Sequence, residues 1–189
     1  MSAIDIRLNL SRTKIVVVDD SPQAMEILSQ ILLGFCVEKT IRCVSVDEAT
    51  AALSHEKIDL VIVDDRMAEK DGFDLIAWIR RDPKAVNYTA PVMLATGNPT
   101  LGATLRARDA GANHVIAKPL TPGVLLARIQ FIARNNREFV TSDNYRGPDR
   151  RVRNLPLPDG VEERRADALR LLQTPDRAMS QDEINSMFA

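Results

Sequence analysis

The sequence predicts an α/β fold on a five-stranded, doubly wound parallel sheet in the order 2-1-3-4-5, and three observations predict it. Between Thr13 and Asn135, short β-branched apolar runs alternate five times with longer amphipathic ones. The short runs are continuously apolar, as suits strands buried on both faces. Strand and helix alternate in single units, the pattern of βα repeats with right-handed crossovers. For five such units the doubly wound order places ligands at the carboxyl ends of the strands.

The first strand is Ile15-Val16-Val17-Val18, which runs into Asp19-Asp20. Ser21-Pro22 then opens a helix with proline at the first position, where a missing N–H costs nothing. Met25, Ile27, Leu28, Ile31 and Leu32 keep helical spacing until Gly34 stops the run. Further strands are predicted at Thr40–Val44, Ile58–Val63, Val92–Ala95 and His114–Ala117. The intervening helices fall at about 47–55, 72–81, 100–110 and 122–135.

The chain therefore divides into an N-terminal arm (1–12), a globular domain (13–135), a linker (136–160) and a helical tail (161–189). The linker is rich in Asn, Arg, Pro and Asp without periodicity and reads as extended. Its basic stretch, Arg146–Arg153, has acids interspersed and reads as solvated. Asp159-Gly160 starts a helix running to about Leu172, which Thr174-Pro175 ends. Ser180-Gln181-Asp182-Glu183 is a capping box that opens a last short helix over 180–188.

Apolar residues make up 45% and charged residues 27% of the chain, the balance of an ordinary globular protein. A net charge of −1 gives no overall pull towards nucleic acid or acidic membranes. Cys36 and Cys43 lack metal-ligand or CxxC spacing and read as buried reduced thiols. There is no membrane-length apolar stretch and no secretory leader, so a cytoplasmic protein is expected. His55 and His114 read as structural or surface residues, and Trp78 as packing on the third helix.

The chemistry gathers on one edge of the predicted sheet. Asp19 and Asp20 follow the first strand, Asp64 ends the third, Thr96 the fourth and Lys118 the fifth. Three carboxylates in one cleft repel each other unless a cation joins them, and Mg²⁺ suits such an oxygen set. Asp64 is central and is placed to attack an incoming phosphoryl group, forming an aspartyl phosphate. The metal, Lys118 and the Thr96 hydroxyl then meet the phosphoryl oxygens. Each feature alone is ordinary: an acidic pair caps a helix, Asp64-Asp65 could be a solvated loop, a Thr-Gly turns, a Lys-Pro ends a strand. All four in this order, each at a strand's carboxyl end, are hard to obtain by chance.

The segments IVVVDDS (15–21), DLVIVDDRMAEKDG (59–72), PVMLATG (91–97) and GANHVIAKPL (111–120) resemble the receiver domain of two-component response regulators. That likeness implies a flavodoxin-like fold and a phosphoacceptor at Asp64. It also implies Mg²⁺ held by Asp19, Asp20, Asp64 and the Arg66 carbonyl, phosphate reading by Thr96 and Lys118, and a Lys118-Pro119 bond that is often cis. Two positions depart from the family. Val115 stands where an aromatic is usual, and Met67-Ala68 replaces Met-Pro, with the large cation Arg66 at the mouth of the site. Arg66 and Asn98 are expected to set the lifetime of the phosphoryl group.

In the tail, Ile184, Met187 and Phe188 lie at i, i+3 and i+4 and share a helical face. So short a helix is marginal in water and is expected to fold on docking to a groove. MSQDEINSMFA resembles the peptide of the flagellar switch protein, of the form SQxEIDxL, that binds the phosphorylated chemotaxis regulator, with Asn185 in place of Asp. The likeness implies a ligand for a receiver face, on this molecule or another, serving flagellar control or an autoinhibitory clamp.

The functional expectation is a signalling switch, phosphorylated by a histidine kinase or phosphotransfer protein, with output through protein–protein contact. The alternative is a transcriptional regulator with a DNA-binding tail, but the last helix carries Asp182 and Glu183 and no basic residue. An enzyme acting on a separate substrate is not expected, because no GxGxxG or P-loop is present.

Overall fold

The computed structural model describes residues 9–134, 137–142, 145–150 and 177–188. The five βα units are β1 (Lys14–Val18) and α1 (Pro22–Gly34), β2 (Lys39–Cys43) and α2 (Val46–His55), β3 (Leu60–Asp64) and α3 (Gly72–Ile79), β4 (Val92–Thr96) and α4 (Leu101–Ala110), β5 (His114–Ala117) and α5 (Pro122–Arg134). A hairpin follows, β6 (Phe139–Ser142) and β7 (Tyr145–Pro148), and the described chain ends in α6 (Gln181–Phe188). The five strands are parallel in the order β2-β1-β3-β4-β5, as the sequence predicts.

Strand alternation sorts the core onto two faces. Val16, Val18, Val61, Val63, Val92 and Leu94 pack under α2, α3 and α4, while Ile15, Val17, Leu60, Ile62 and Met93 pack under α1 and α5. Both faces being covered is why the strand sequences are continuously apolar. Ser21, Ser45, Asp71 and Thr100 cap α1 to α4, each accepting a hydrogen bond from the third backbone N–H beyond it. Gly111 closes α4 in the left-handed conformation, φ 101°. A Cβ at Gly72 would lie 2.2 Å from the Asp64 carbonyl oxygen, so α3 starts hard against the end of β3.

Several expectations change. Leu10, in the segment read as an N-terminal arm, is buried in the core under α1 and α5, and its carbonyl accepts from Thr13 N. Cys43 is buried as expected but Cys36 is exposed. Trp78 is 38% exposed, because α3 buries Phe73, Leu75, Ile76 and Ile79 and turns Trp78 outward. His114 is fully buried, whereas the sequence left it between core and surface. The helix expected from Asp159 to Leu172 lies outside the described residues.

The segment read as an extended linker contains a hairpin packed on the domain. Its anchor is Arg80, 2% exposed at the end of α3. The Arg80 guanidinium donates to the carbonyls of Gly111, Tyr88 and Ala90 and to Asn113 Oδ1, and lies 5.0 Å beneath the Phe139 ring. Burial lowers its pKa to about 10, which leaves it charged at any physiological pH. Tyr88 stacks at a tilt on Phe139 at 5.7 Å, and its hydroxyl meets Thr141 Oγ1 at 2.9 Å. Arg146 donates to the Arg81 carbonyl, while Arg150 pairs with Asp109 at 2.6 Å and lies 3.9 Å over the Tyr145 ring. These two arginines are exposed, yet each contacts the end of a helix, Arg146 after α3 and Arg150 on α4; residues 151–153 lie outside the described residues.

Arg80→Met keeps the apolar stem but leaves buried carbonyls without a donor, a loss of about 1–3 kcal/mol. Urea unfolding of the variant should show a lower midpoint, and an unchanged midpoint would remove Arg80 as the anchor of the hairpin.

Candidate functional site

The ends of β1, β3 and β5 bring the expected charges together. Asp19 is 1% exposed; its Oδ1 accepts from Ser21 N at 2.9 Å, and its Oδ2 accepts from Lys118 Nζ at 2.9 Å. Asp64 is half-buried, with Oδ1 2.6 Å from the same Nζ. Asp20 is exposed, and its Oδ2 accepts from Ala68 N at 3.1 Å, which ties the loop after β3 to the end of β1. One oxygen from each of Asp19, Asp20 and Asp64 lies within 4.8 Å of the others. One ammonium bridges two of the three carboxylates, so the cluster remains negative and its all-oxygen donor set fits a small hard divalent cation.

Burial raises the Asp64 pKa, against the opposing pull of Lys118. For Lys118, burial lowers the pKa, but the hydrogen bonds from its ammonium to Asp64 and Asp19 outweigh that, and the net shift is upward. Lys118 is therefore charged at neutral pH. The Lys118-Pro119 bond is cis.

Thr96 reaches the cleft by a different route from the one expected. Its hydroxyl donates to Asp65 Oδ2 at 2.6 Å, both residues being buried, and accepts from Asn98 N at 3.1 Å. Asp65, which could have been a solvated loop residue, is thus a partner of Thr96. Strand parity carries the signal for it: Asp65 continues the Val61–Val63 face, and Thr96 lies on the Val92–Leu94 face of the neighbouring strand. Asp64 continues the opposite parity and turns to Lys118.

Arg66 and Asn98 are both exposed and line one cleft of about 570 Å³ with Asp65, Thr100, Phe73 and Arg106. A terminal nitrogen of Arg66 lies 4.0 Å from where a Cβ on Gly97 would stand, so the guanidinium reaches the turn after β4. Arg106 stacks 3.9 Å over Phe73 and pairs with Asp71 at 2.8 Å.

The tail residues singled out by their spacing lie against the domain's own β5. Ile184 and Phe188 are fully buried and Met187 partly so, all packed with the core cluster that contains Val115. Ser180 and Glu183 form the reciprocal capping box, and Glu183 also pairs with Arg177. The Phe188 ring meets His114 edge-on at 5.2 Å, and His114 meets Phe131 of α5 at 5.1 Å. Neither ring nitrogen of His114 has a hydrogen-bond partner.

An open parallel α/β sheet of this order, with a carboxylate cluster and a lysine at its carboxyl edge, defines a receiver-type signalling module. Residues 15–130 match the response regulator receiver domain, and the chain belongs to that family. It is 31% identical over 121 residues to the heme response regulator HssR of Staphylococcus haemolyticus, covering 64% of this chain and 51% of that protein. It is 28% identical over 124 residues to chemotaxis protein CheY1 of Helicobacter pylori, covering 65% of this chain and 98% of that protein. The chain spans about half of HssR and only 25% of the response regulator protein PilR of Pseudomonas aeruginosa. Among solved structures, a putative response regulator from Chloroflexus aurantiacus is similar with a TM-score of 0.61 at 27% identity, covering 66% of this chain and 99% of that one. Vibrio cholerae chemotaxis protein CheY4 shares the fold, with a TM-score of 0.60 at 23% identity, covering 64% of this chain and 98% of that one. No helix among the described residues is long and apolar enough to cross a membrane. The family match ends at residue 130, so the tail stands on its own geometry.

Burial, with Arg128 and Arg137 nearby, lowers the His114 pKa from 6.5 to about 3, while the Asn185 side chain opposes the shift. Between those two values the unfolded chain binds a proton that the folded chain does not, so stability from this group rises with pH across the window. Acidification from pH 6.5 towards 3 should therefore destabilise the protein by up to about 1.4 kcal/mol per pH unit through His114 alone. His114→Leu should flatten that part of the stability–pH curve relative to the parent protein, and parallel curves would refute the assignment.

Proposed function

We propose that the chain is a response regulator that accepts a phosphoryl group on Asp64 from a histidine kinase or phosphotransfer protein. Asp19, Asp20, Asp64 and the Arg66 carbonyl would hold Mg²⁺, which would supply charge neutralisation to the phosphoryl oxygens. The observation that carries this reading is the Lys118 ammonium bridging Asp19 and Asp64, beside three carboxylates close enough to share one cation.

The Asp64 carboxylate attacks phosphorus, an O–P bond forms, and the P–N bond to the donor imidazole breaks as that imidazole regains a proton. Lys118 stays protonated and moves from the Asp64 carboxylate to an oxygen of the new phosphoryl group, whose charge is about −1.5 to −2. The Thr96 hydroxyl reaches another phosphoryl oxygen on leaving Asp65. Arg66 and Asn98 stand at the mouth and set how readily water enters to hydrolyse the acyl phosphate.

Output runs through protein–protein contact, with Ile184, Met187 and Phe188 as a receiver-docking element. The likeness of residues 180–188 to the flagellar switch peptide, and of the receiver domain to chemotaxis protein CheY1, supports a partner in flagellar or chemotactic control. The DNA-binding alternative gains no support from α6, which has Asp182 and Glu183 in its first turn and no basic residue in its last.

Incubation with acetyl phosphate and Mg²⁺ should add one phosphoryl group, seen by intact mass, and Asp64→Asn or chelation of the metal should abolish it. A phosphorylated Asp64→Asn protein would sink the reading. Arg66→Ala should change the dephosphorylation rate by about 3-fold or more, which corresponds to a shift of about 0.6 kcal/mol in the barrier. An unchanged rate would remove Arg66 from control of the lifetime.

A further inference from the structure

β5 is the edge strand of the sheet, with β4 on one side. An edge strand leaves backbone N–H and C=O groups without a strand partner. The side chain of Gln181 meets two of them: its Oε1 accepts from Ala117 N at 2.8 Å, and its Nε2 donates to Val115 O at 3.1 Å. The same Nε2 also donates to Asn185 Oδ1 at 3.0 Å, one turn further along α6, which holds the amide in orientation. One glutamine thus stands in for a sixth strand, while Ile184 and Phe188 fill the apolar hollow beside it.

The approach to α6 is anchored on the loop that leads away from the cleft. Met179 N donates to the Pro99 carbonyl at 2.6 Å, and Ala178 forms an antiparallel bridge with Thr100. At the other end of that loop the Thr96 hydroxyl accepts from Asn98 N, and Asn98 O accepts from Thr100 N. Residues 96–100 are therefore one short, internally bonded segment with the cleft at its start and the tail at its end. The Thr96 hydroxyl has a single proton, and in this structure Asp65 holds it. A phosphoryl group on Asp64 is a competing acceptor, and donation to it breaks the Thr96–Asp65 bond at the base of the loop.

We propose that residues 177–188 are the resident ligand of this chain's own β5 edge, and that a phosphoryl group on Asp64 displaces them by drawing the 96–100 loop away from Met179. The inference rests on the phosphoacceptor reading above. The surface so uncovered consists of the Val115 and Ala117 backbone groups, the hollow filled by Ile184 and Phe188, and the Pro99 carbonyl. It suits a partner that offers a capped short helix with a glutamine and two large apolar side chains in the same spacing. Coupling is reciprocal by thermodynamic necessity: if the phosphoryl group weakens tail docking, docking weakens binding at the cleft by the same factor.

The full chain is tested with Mg²⁺ and beryllofluoride, whose uptake is read by fluorine NMR and whose effect is read by amide hydrogen exchange. Exchange over residues 178–188 and 114–118 should accelerate together by about 5-fold or more on uptake, the lower end of ordinary allosteric coupling. In the full-length Phe188→Ser variant, beryllofluoride should bind tighter by that same factor, a change that a purely structural tail would not produce. Uptake without any change in exchange, or slower exchange, overturns the displacement while leaving the phosphoacceptor reading intact. No uptake overturns the phosphoacceptor reading and the displacement with it. Protection of 178–188 that grows with protein concentration places the tail on a second copy and overturns docking within one chain.

Discussion

Negative charge confined at the carboxyl edge of a parallel sheet is the constraint on which the rest of this structure depends. The carboxyl ends of β1 and β3 bring one oxygen each of Asp19, Asp20 and Asp64 within 4.8 Å of the others, and one ammonium, that of Lys118, bridges two of these carboxylates. Bringing like charges together at a partly buried site costs free energy that a cation offsets. The domain accepts that cost because its core is covered on both faces, with valine and isoleucine along β1 and β3 almost wholly buried. The site is consequently under tension between burial, which resists the Asp64 charge, and Lys118, which favours it. Binding a divalent cation or transferring a phosphoryl group changes that balance.

The same packing logic governs what surrounds the sheet. Arg80, a cation almost without exposure, is tolerated because its donors are spent on three carbonyls and an amide oxygen. Those carbonyls belong to loops that close the amino-terminal edge of the sheet, so the guanidinium joins α3, the loop before β4 and the loop before β5. The hairpin then lays Phe139 over the same group. At the opposite end, the edge of β5 is closed by Gln181 and the apolar face of α6. Among the described residues, two short elements thus extend the receiver fold, one fastened by a buried arginine and the other by a glutamine on an open strand edge.

The two fastenings differ in kind. The hairpin contacts loops far from the carboxylate cluster and reads as permanent structure. The tail contacts the loop that begins at Thr96, so its seat shares a backbone with the site. His114 adds to the difference: its ring meets Phe188 edge-on, and burial first, then the nearby Arg128 and Arg137, lowers its pKa.

The sequence by itself determined the five βα units, their strand order, the placing of Asp19, Asp20, Asp64 and Lys118 at one edge, and the capping box before α6. Those follow from local signals: continuous apolar runs, cap residues and the rule that ligands meet strand carboxyl ends. Strand parity also held the pairing of Asp65 with Thr96, although adjacent aspartates hide it. Only the tertiary structure decided that Arg80 is a buried anchor, that residues 139–148 form a hairpin, that Trp78 faces outward and that Gln181 completes β5. Each of these depends on contacts between residues distant in the chain. A charge, a four-residue strand or a single amide has no periodicity of its own and takes its role from whatever the fold sets against it.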